Sequence, residues 1–591
     1  MSYSDLPEIQ YTVWPADPHG HRYRVKLHIA NPDPAGQIIE MPAWIPGSYL
    51  IRDFSKNIES LEARSVGSNS RTIALERIDN DRWRLPKNTD AVEIFTTVYA
   101  FDSSVRAAYL DTERAFFNAS SLCFAVKGQE HLPCSLAILA PEATFADHWS
   151  VQTSMAVAKT DSRGFGFYLA QNYDDLLDHP VAMGEFQVVQ WQSCGTAHRM
   201  AIQGCANPID TKRLADDLKA ICSSTIELFE PKSQRAPFGS YLFLVNAVLN
   251  GYGGLEHRNS TALLCRRDQI PQNQVLYDEN AYREFLGLCS HEYFHAWLVK
   301  RIQPKAFQPY QLDRRNHTRL LWLFEGFTSY YDDLQLFRSK RIDLATYLKL
   351  VSDNWNGILR GPGRLKQSLA DSSFDAWTKY YQADENTPNA VVSYYGKGAL
   401  LALALDLKIR AFSKNKQSLD DLMRLLWRKH GIPMDGIAEE GLDDLLHELL
   451  GNGFTKIWKE MKSKYVFGTE DIPIQKWIGS KRVSVRPKSE SKLEKLKLQF
   501  GIRHSDSNGW LKVTHVLDGG IAQAAGLASG DLLASINGQR ITNARWEKVL
   551  GGLTEGQSIV ICFYRDDFMY ERLAQVKAVI PPQYELTTKK D

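Results

Sequence analysis

Two histidines four residues apart, His291 and His295 in the string HEYFH, are the residues whose types and spacing most directly imply chemistry. On a helix, positions i and i+4 lie one turn apart on one face, so both imidazoles can reach a single Zn²⁺ at about 2.0–2.1 Å. Glu292, beside the first histidine, can hold a water on such a metal, whose pKa falls to about 7, and take its proton. A catalytic zinc needs a third protein ligand and keeps its fourth position for water. Glu325 in LWLFEGFTSYYDDL is the candidate: it is the only acidic residue in the apolar run from Leu320 to Phe327, where a carboxylate is costly unless paired or metal-bound. Asp332, two turns on, falls about 20° from Glu325 around the helix axis and could orient a ligating histidine. The competing reading of HEYFH is a pair of surface histidines on an amphipathic helix. One Zn²⁺ per chain is the expected cofactor.

The elements that must position these residues follow from the hydrophobic pattern. A helix is expected from about Glu279 to Lys300 and another from Thr318 to Leu336, with helical patterning continuing to about Trp477. Upstream, Asp210 caps an amphipathic segment reaching Phe229, and an apolar β-rich run from Tyr241 to Leu249 precedes Gly251, Gly253 and Gly254. From Tyr11 to about Val189 short alternating segments separated by Pro, Gly and Asn/Asp read as β structure. A Lys/Ser-rich stretch from Ser480 to Lys497 reads as a linker, and strands with Gly turns resume from Leu498 to about Ile580.

Composition narrows the function classes. The 591 residues leave room for about three to five domains. Lys+Arg total 70 against Asp+Glu 69, a formal charge of +1, which argues against nucleic acid or an anionic membrane as the main partner. The first residues lack a secretory pattern and no window reaches the 18 apolar residues of a membrane span, so a cytoplasmic location is expected. The eight cysteines are scattered without a Cys-x-x-Cys pair, consistent with free thiols in a reducing compartment. Neither a Gly-x-Ser-x-Gly elbow nor a phosphate-binding glycine loop occurs.

Taken in order, several strings resemble the glycyl aminopeptidase family of zinc metallopeptidases, relatives of aminopeptidase N within the thermolysin-like group. HEYFH followed by WLFEGFTSYYDD carries the resemblance, as do WIPGSYLIRDFSKNI (44–58), LDHPVAMGEF (177–186), GYGGLEH (251–257) and SYYGKG (393–398). The resemblance implies that the β-rich run ending in Gly253 and Gly254 is an edge strand along which substrate backbone can bind, and that Glu256 pairs with the substrate's α-ammonium. His257 stands where relatives of that family carry Asn. It also implies that a tyrosine of SYYGKG stabilises the oxyanion; Tyr395 matches the motif in register and Tyr394 is the competitor. Peptides with a free N-terminus, cut after glycine or another small residue, are the implied substrates. An endopeptidase and a catalytically silent scaffold are the rival readings.

The segment after Leu498 resembles a PDZ domain. Phe500, Gly501, Ile502 and Arg503 stand where such domains carry a carboxylate-binding loop, and GGIAQAAGLASGDLLASINGQRI (519–541) is similar to their helix, turn and strand pattern. A free C-terminus bound there, or a groove filled from within the chain, are both consistent with it. The resulting expectation is a multidomain α+β protein: an N-terminal β-sandwich-like domain (1–190), a thermolysin-like catalytic domain (191–345), an α-helical domain (346–478), a linker (479–497) and a PDZ-like domain (498–582).

Overall fold

A computed structural model of the chain describes residues 7–68, 70–273, 278–478, 483–577 and 579–589. The chain is α+β and falls into two compact units, Met1–Asn316 with Met423–Ala438, and His317–Leu422 with Glu439–Asp591.

The first unit begins with the expected β-rich region. Ile9–Asp17 alternates buried and half-buried residues, the period of a strand with one face in a core, and pairs in parallel with Cys134–Ile138 and antiparallel with Arg22–Ile29. These belong to an eight-stranded sheet that shares one apolar core with two four-stranded sheets. Tyr11 and Tyr23 are buried in it with their hydroxyls donating to the carbonyls of Phe124 (2.7 Å) and Tyr109 (3.0 Å), so neither leaves an unmet polar group.

A five-stranded sheet follows, built from β1 (Gln187–Ser193), β2 (Thr196–Gln203), β3 (Ser240–Val248), β4 (Gly253–Glu256) and β5 (Ser260–Arg266). Its spatial order is β1-β2-β3-β5-β4, with β2, β3 and β5 parallel and β4 antiparallel at the edge. The run expected to be a single edge strand is instead divided: Ser240–Val248 is an inner strand, as its continuous hydrophobicity demands, and Gly253 and Gly254 lie on the separate edge strand β4. Helices α1 (Thr211–Phe229) and α2 (Glu279–Phe294) pack on this sheet, each started by an aspartate: Asp210 accepts from the Arg213 amide and Asp278 from that of Asn280. The helix holding HEYFH is shorter than the pattern 279–300 predicts. It stops at Phe294 because the chain turns at Val299, which takes a left-handed φ of 95°, and Arg301 satisfies the freed Ala296 carbonyl at 2.7 Å.

The second unit is built on α3 (Leu321–Arg338) and α4 (Tyr394–Ser413), which cross in direct contact. A Cβ added to Gly326 would stand 2.6 Å from the Gly398 Cα, and one on Gly398 would stand 2.8 Å from the Gly326 Cα and the Trp322 carbonyl. Paired glycines thus let the two backbones touch. The segment Thr387–Ser413 has the length and apolarity of a membrane span, and most of it is buried within the unit.

The same unit carries a sheet of Ile502–Ser507, Trp510–Val516, Leu532–Ile536, Ser558–Arg565 and Phe568–Gln575, with its own core. Residues 479–482 of the expected linker lie outside the described residues. In the rest of it, Val483–Pro487 is a strand paired with Tyr584–Thr588, and Lys492–Phe500 is a helix, α5. The signal for that helix is Ser491 with Glu494, which cap each other's backbone amides at 3.2 and 3.0 Å. Both sheets are fastened to helical segments of the unit: Tyr584 of the two-stranded pair stacks on Trp355 at 4.4 Å, and at the larger sheet Asn389 donates to the Val516 carbonyl and accepts from the Asp518 amide.

Gly398→Ala should test the helix crossing. Alanine normally gains about 1 kcal/mol over glycine inside a helix, but here overpacking of about 1–3 kcal/mol should outweigh it. A lowered thermal midpoint is expected; a raised one would mean that the helices do not touch there.

Candidate active site

In the first unit, His291 is half-buried and His295 buried, at the C-terminal end of α2. Their Nε2 atoms are 3.0 Å apart and their rings meet edge to face. Two nitrogens bound at about 2.05 Å to one tetrahedral ion would stand about 3.3 Å apart, so the pair is set close to that geometry. The Nδ1 of His295 lies 2.9 Å from the Leu298 carbonyl. A carbonyl only accepts, so Nδ1 carries the proton and Nε2 is left with its lone pair. The back of the helix is anchored by Tyr293, buried in an aromatic cluster with its hydroxyl 2.9 Å from Nε2 of His198, whose pKa burial lowers to about 4.

The carboxylate of Glu292 is buried and reaches the edge strand. A Cβ on Gly254 would stand 2.1 Å from Glu292 Oε1, so the close approach that Gly254 permits is made by this carboxylate. Residues i and i+2 of a strand share a face, which puts Glu256, also buried, about 7 Å further along the same face. Gly47, from the WIPGSYL string, backs Glu256: its φ is +95°, and a Cβ there would lie 2.7 Å from both carboxylate oxygens. Gly253, with φ +153°, is flanked by Arg106, whose Nη2 donates to the Gly254 carbonyl at 3.1 Å. Gly47 and Arg106 were not identified from sequence, since each lies well over a hundred residues from its contact on β4. For Gly47 the only cue was a glycine inside a string that resembles the family.

The segment after Glu256 is held by a buried ionic cluster. Asp178, from LDHPVAMGEF, lies 2.7 Å from Lys300 Nζ and 3.4 Å from His257 Nδ1, and accepts from the Arg258 amide at 2.9 Å. Burial alone would raise its pKa, but Lys300, Arg258 and His257 outweigh that and hold the carboxyl well below its usual range. His257 is itself pushed down to about 4, burial overcoming the pull of Asp178. His257 is thus a neutral packing partner of Asp178.

In the second unit, Glu325 is buried on α3 next to the Gly326–Gly398 contact. Tyr394 is fully buried, whereas Tyr395 is half-buried with its hydroxyl 3.2 Å from that of Tyr381. Burial first, and the Glu325 charge second, raise the Tyr395 pKa well above its ordinary value, which keeps the phenol protonated as a donor. Tyr381 is a further residue that sequence reasoning missed. Lys397 of the same motif is buried, which lowers its pKa to about 8. Asp332 is half-buried and accepts from the Asp333 amide.

The four residues of the expected PDZ loop join a helix to a strand. Phe500 ends α5 fully buried against Trp546, and Gly501 is the left-handed cap whose amide donates to the Lys497 carbonyl. Ile502 and Arg503 open a strand paired with Val516 and His515. Helix α5 lies along α6 (Asn543–Gly551), with Lys497 paired to Glu547 and Lys492 donating to the Gly551 carbonyl.

Comparison with known proteins adds three family matches. Residues 10–185 match the model of the peptidase M61 N-terminal domain, 284–401 that of M61 glycyl aminopeptidase, and 490–561 that of the PDZ domain. The crystal structure of an aminopeptidase N family protein from Idiomarina loihiensis is 37% identical, covers 98% of both chains and superposes with a TM-score of 0.91. An M1 zinc metallopeptidase from Deinococcus radiodurans is 12% identical over 80% of this chain and 96% of that one, with a TM-score of 0.48. Yeast LTA4 hydrolase in complex with bestatin is 12% identical over 84% and 72%, also at 0.48. No curated protein matches the chain.

The His257 shift predicts a pH dependence. Between about pH 6.5 and 4 the unfolded state binds a proton that the folded state refuses, so stability falls as pH drops through this window. Replacing His257 with Asn should flatten that fall in a series of thermal melts. An unchanged slope would show that His257 titrates normally.

Proposed function

The chain belongs to the M61 glycyl aminopeptidase family and is a metallo-aminopeptidase, and from that premise we propose that it uses Zn²⁺ to remove single N-terminal residues, glycine or another small one, from peptides. The observation that carries the exopeptidase reading is the pair of buried carboxylates on one face of β4: Glu292 over Gly254, and Glu256 two residues on. That spacing fits one residue of substrate between the group that anchors the amine and the group that moves the proton.

In this reading His291, His295 and Glu325 hold the ion; two imidazole nitrogens and a carboxylate oxygen are a donor set that suits it. When bound, Zn²⁺ lowers the pKa of water to about 7 and polarises the scissile carbonyl. Glu292 takes the proton of the attacking water and returns it to the leaving amine, so the products are a free amino acid and a peptide shorter by one residue. Glu256 pairs with the substrate ammonium, and its burial makes that pairing strong and the alternative, a bound but blocked N-terminus, costly. Tyr395 donates a hydrogen bond to the carbonyl oxygen as it gains charge. The preference for small residues rests on the family's described activity.

Hydrolysis of glycyl anilide and of its N-acetylated form should separate the readings. The free amine should be cut and the acetylated form spared. Glu292→Gln should lower kcat by about 10²- to 10⁴-fold with the fold intact by circular dichroism. Equal cleavage of both substrates would make the protein an endopeptidase, and full activity of Glu292→Gln would remove the base.

A further inference from the structure

A cation stands at the other end of the strand that carries Glu256. Arg106 comes from the N-terminal β-rich region, its amide held by Ser104 Oγ at 3.2 Å, and its guanidinium is placed beside Gly253 and Gly254. Nη2 donates to the Gly254 carbonyl, Nη1 lies 3.5 Å from the position of a Gly253 Cβ, and the buried Nε has no hydrogen-bond partner among the described residues. No carboxylate pairs with Arg106 among the described residues. A guanidinium offers five N–H donors in a fork suited to a carboxylate, so a half-buried one spent on a single neutral carbonyl has capacity for an anion.

We propose that Arg106 binds the C-terminal carboxylate of short peptides, which makes di- and tripeptides the substrate class. This rests on the aminopeptidase reading above. A peptide with its ammonium at Glu256 and its backbone along β4 runs antiparallel to the strand, toward Gly253. From Glu256 to Gly253 is three residues, about 10 Å, and an extended peptide advances at most about 3.3–3.6 Å per residue. Its carboxylate therefore arrives at Arg106 after two to three residues. The two ends of the site are then complementary to the two charged ends of a short peptide: carboxylate for ammonium, guanidinium for carboxylate.

The test uses the full-length, zinc-loaded protein with Gly-Ala, Gly-Ala-Ala and Gly-Ala-Ala-Ala, each as free acid and as C-terminal amide. For the di- or tripeptide the free acid should be favoured about tenfold or more in kcat/KM, mainly through KM, because a charge-assisted hydrogen bond is lost in the amide. The preference should vanish for the tetrapeptide. In Arg106→Gln the acid-to-amide ratio should fall to about one, and in Arg106→Lys it should be partly kept. A purely structural Arg106 would slow acid and amide alike and leave the ratio intact, which would overturn the proposal. So would equal rates on acid and amide in the unaltered protein, a measurement that stands even if Arg106→Gln fails to fold. If glycyl anilide is not cut at all, or its acetylated form is cut equally, the aminopeptidase reading fails instead.

Discussion

A carboxylate taken out of water is costly unless a cation or hydrogen-bond donors stand beside it, and Glu256, Glu292 and Glu325, all buried, put that constraint at the centre of this protein. In the proposed reaction two positive groups, the zinc ion and the substrate's ammonium, meet that demand. The burial that makes the three residues costly to keep also makes them selective, because a neutral or missing partner leaves a desolvated charge behind. The whole-chain charge of +1 says nothing about this. Local balance is what the site is built on.

Backbone contact is how the fold meets the constraint. Glu292 reaches the edge strand because Gly254 has no side chain, Glu256 is pressed against Gly47, and α3 meets α4 at Gly326 and Gly398 with Glu325 as the next residue. Each of these glycines brings backbone to within reach of a buried carboxylate or of the helix bearing one. Around them the fold is stiffened by ordinary means: the aromatic packing behind Tyr293, the Leu298 carbonyl that fixes the His295 tautomer, and the ion cluster around Asp178 that ties the chain after Glu256. None of these touches substrate in the proposed reaction, and all set where groups that do touch it can stand.

What was legible in the sequence was local. HEYFH is readable because two histidines one turn apart need only a helix to converge, and Glu325 because a lone acid in an apolar run stands out. The order of β-rich, mixed and helical regions followed from periodicity. What stayed hidden depends on contacts between residues far apart in the chain: Gly47 against Glu256, Arg106 on the Gly254 carbonyl, Asp178 with Lys300, Tyr381 with Tyr395. Element ends were misread where tertiary groups, such as Arg301 on the Ala296 carbonyl, decided them. In the Lys/Ser-rich stretch the polar composition masks a helix whose one local signal is the Ser491–Glu494 capping box.

Metal stoichiometry is the most direct test of the central claim that the buried carboxylates and the histidine pair exist to be balanced by a cation. Elemental analysis of purified, dialysed protein should find one zinc per chain, and His295→Ala and Glu325→Ala should each retain far less while keeping the far-ultraviolet spectrum of the unaltered chain. A metal-free protein that still cleaves glycyl anilide, or full zinc retention in both variants, would contradict the account.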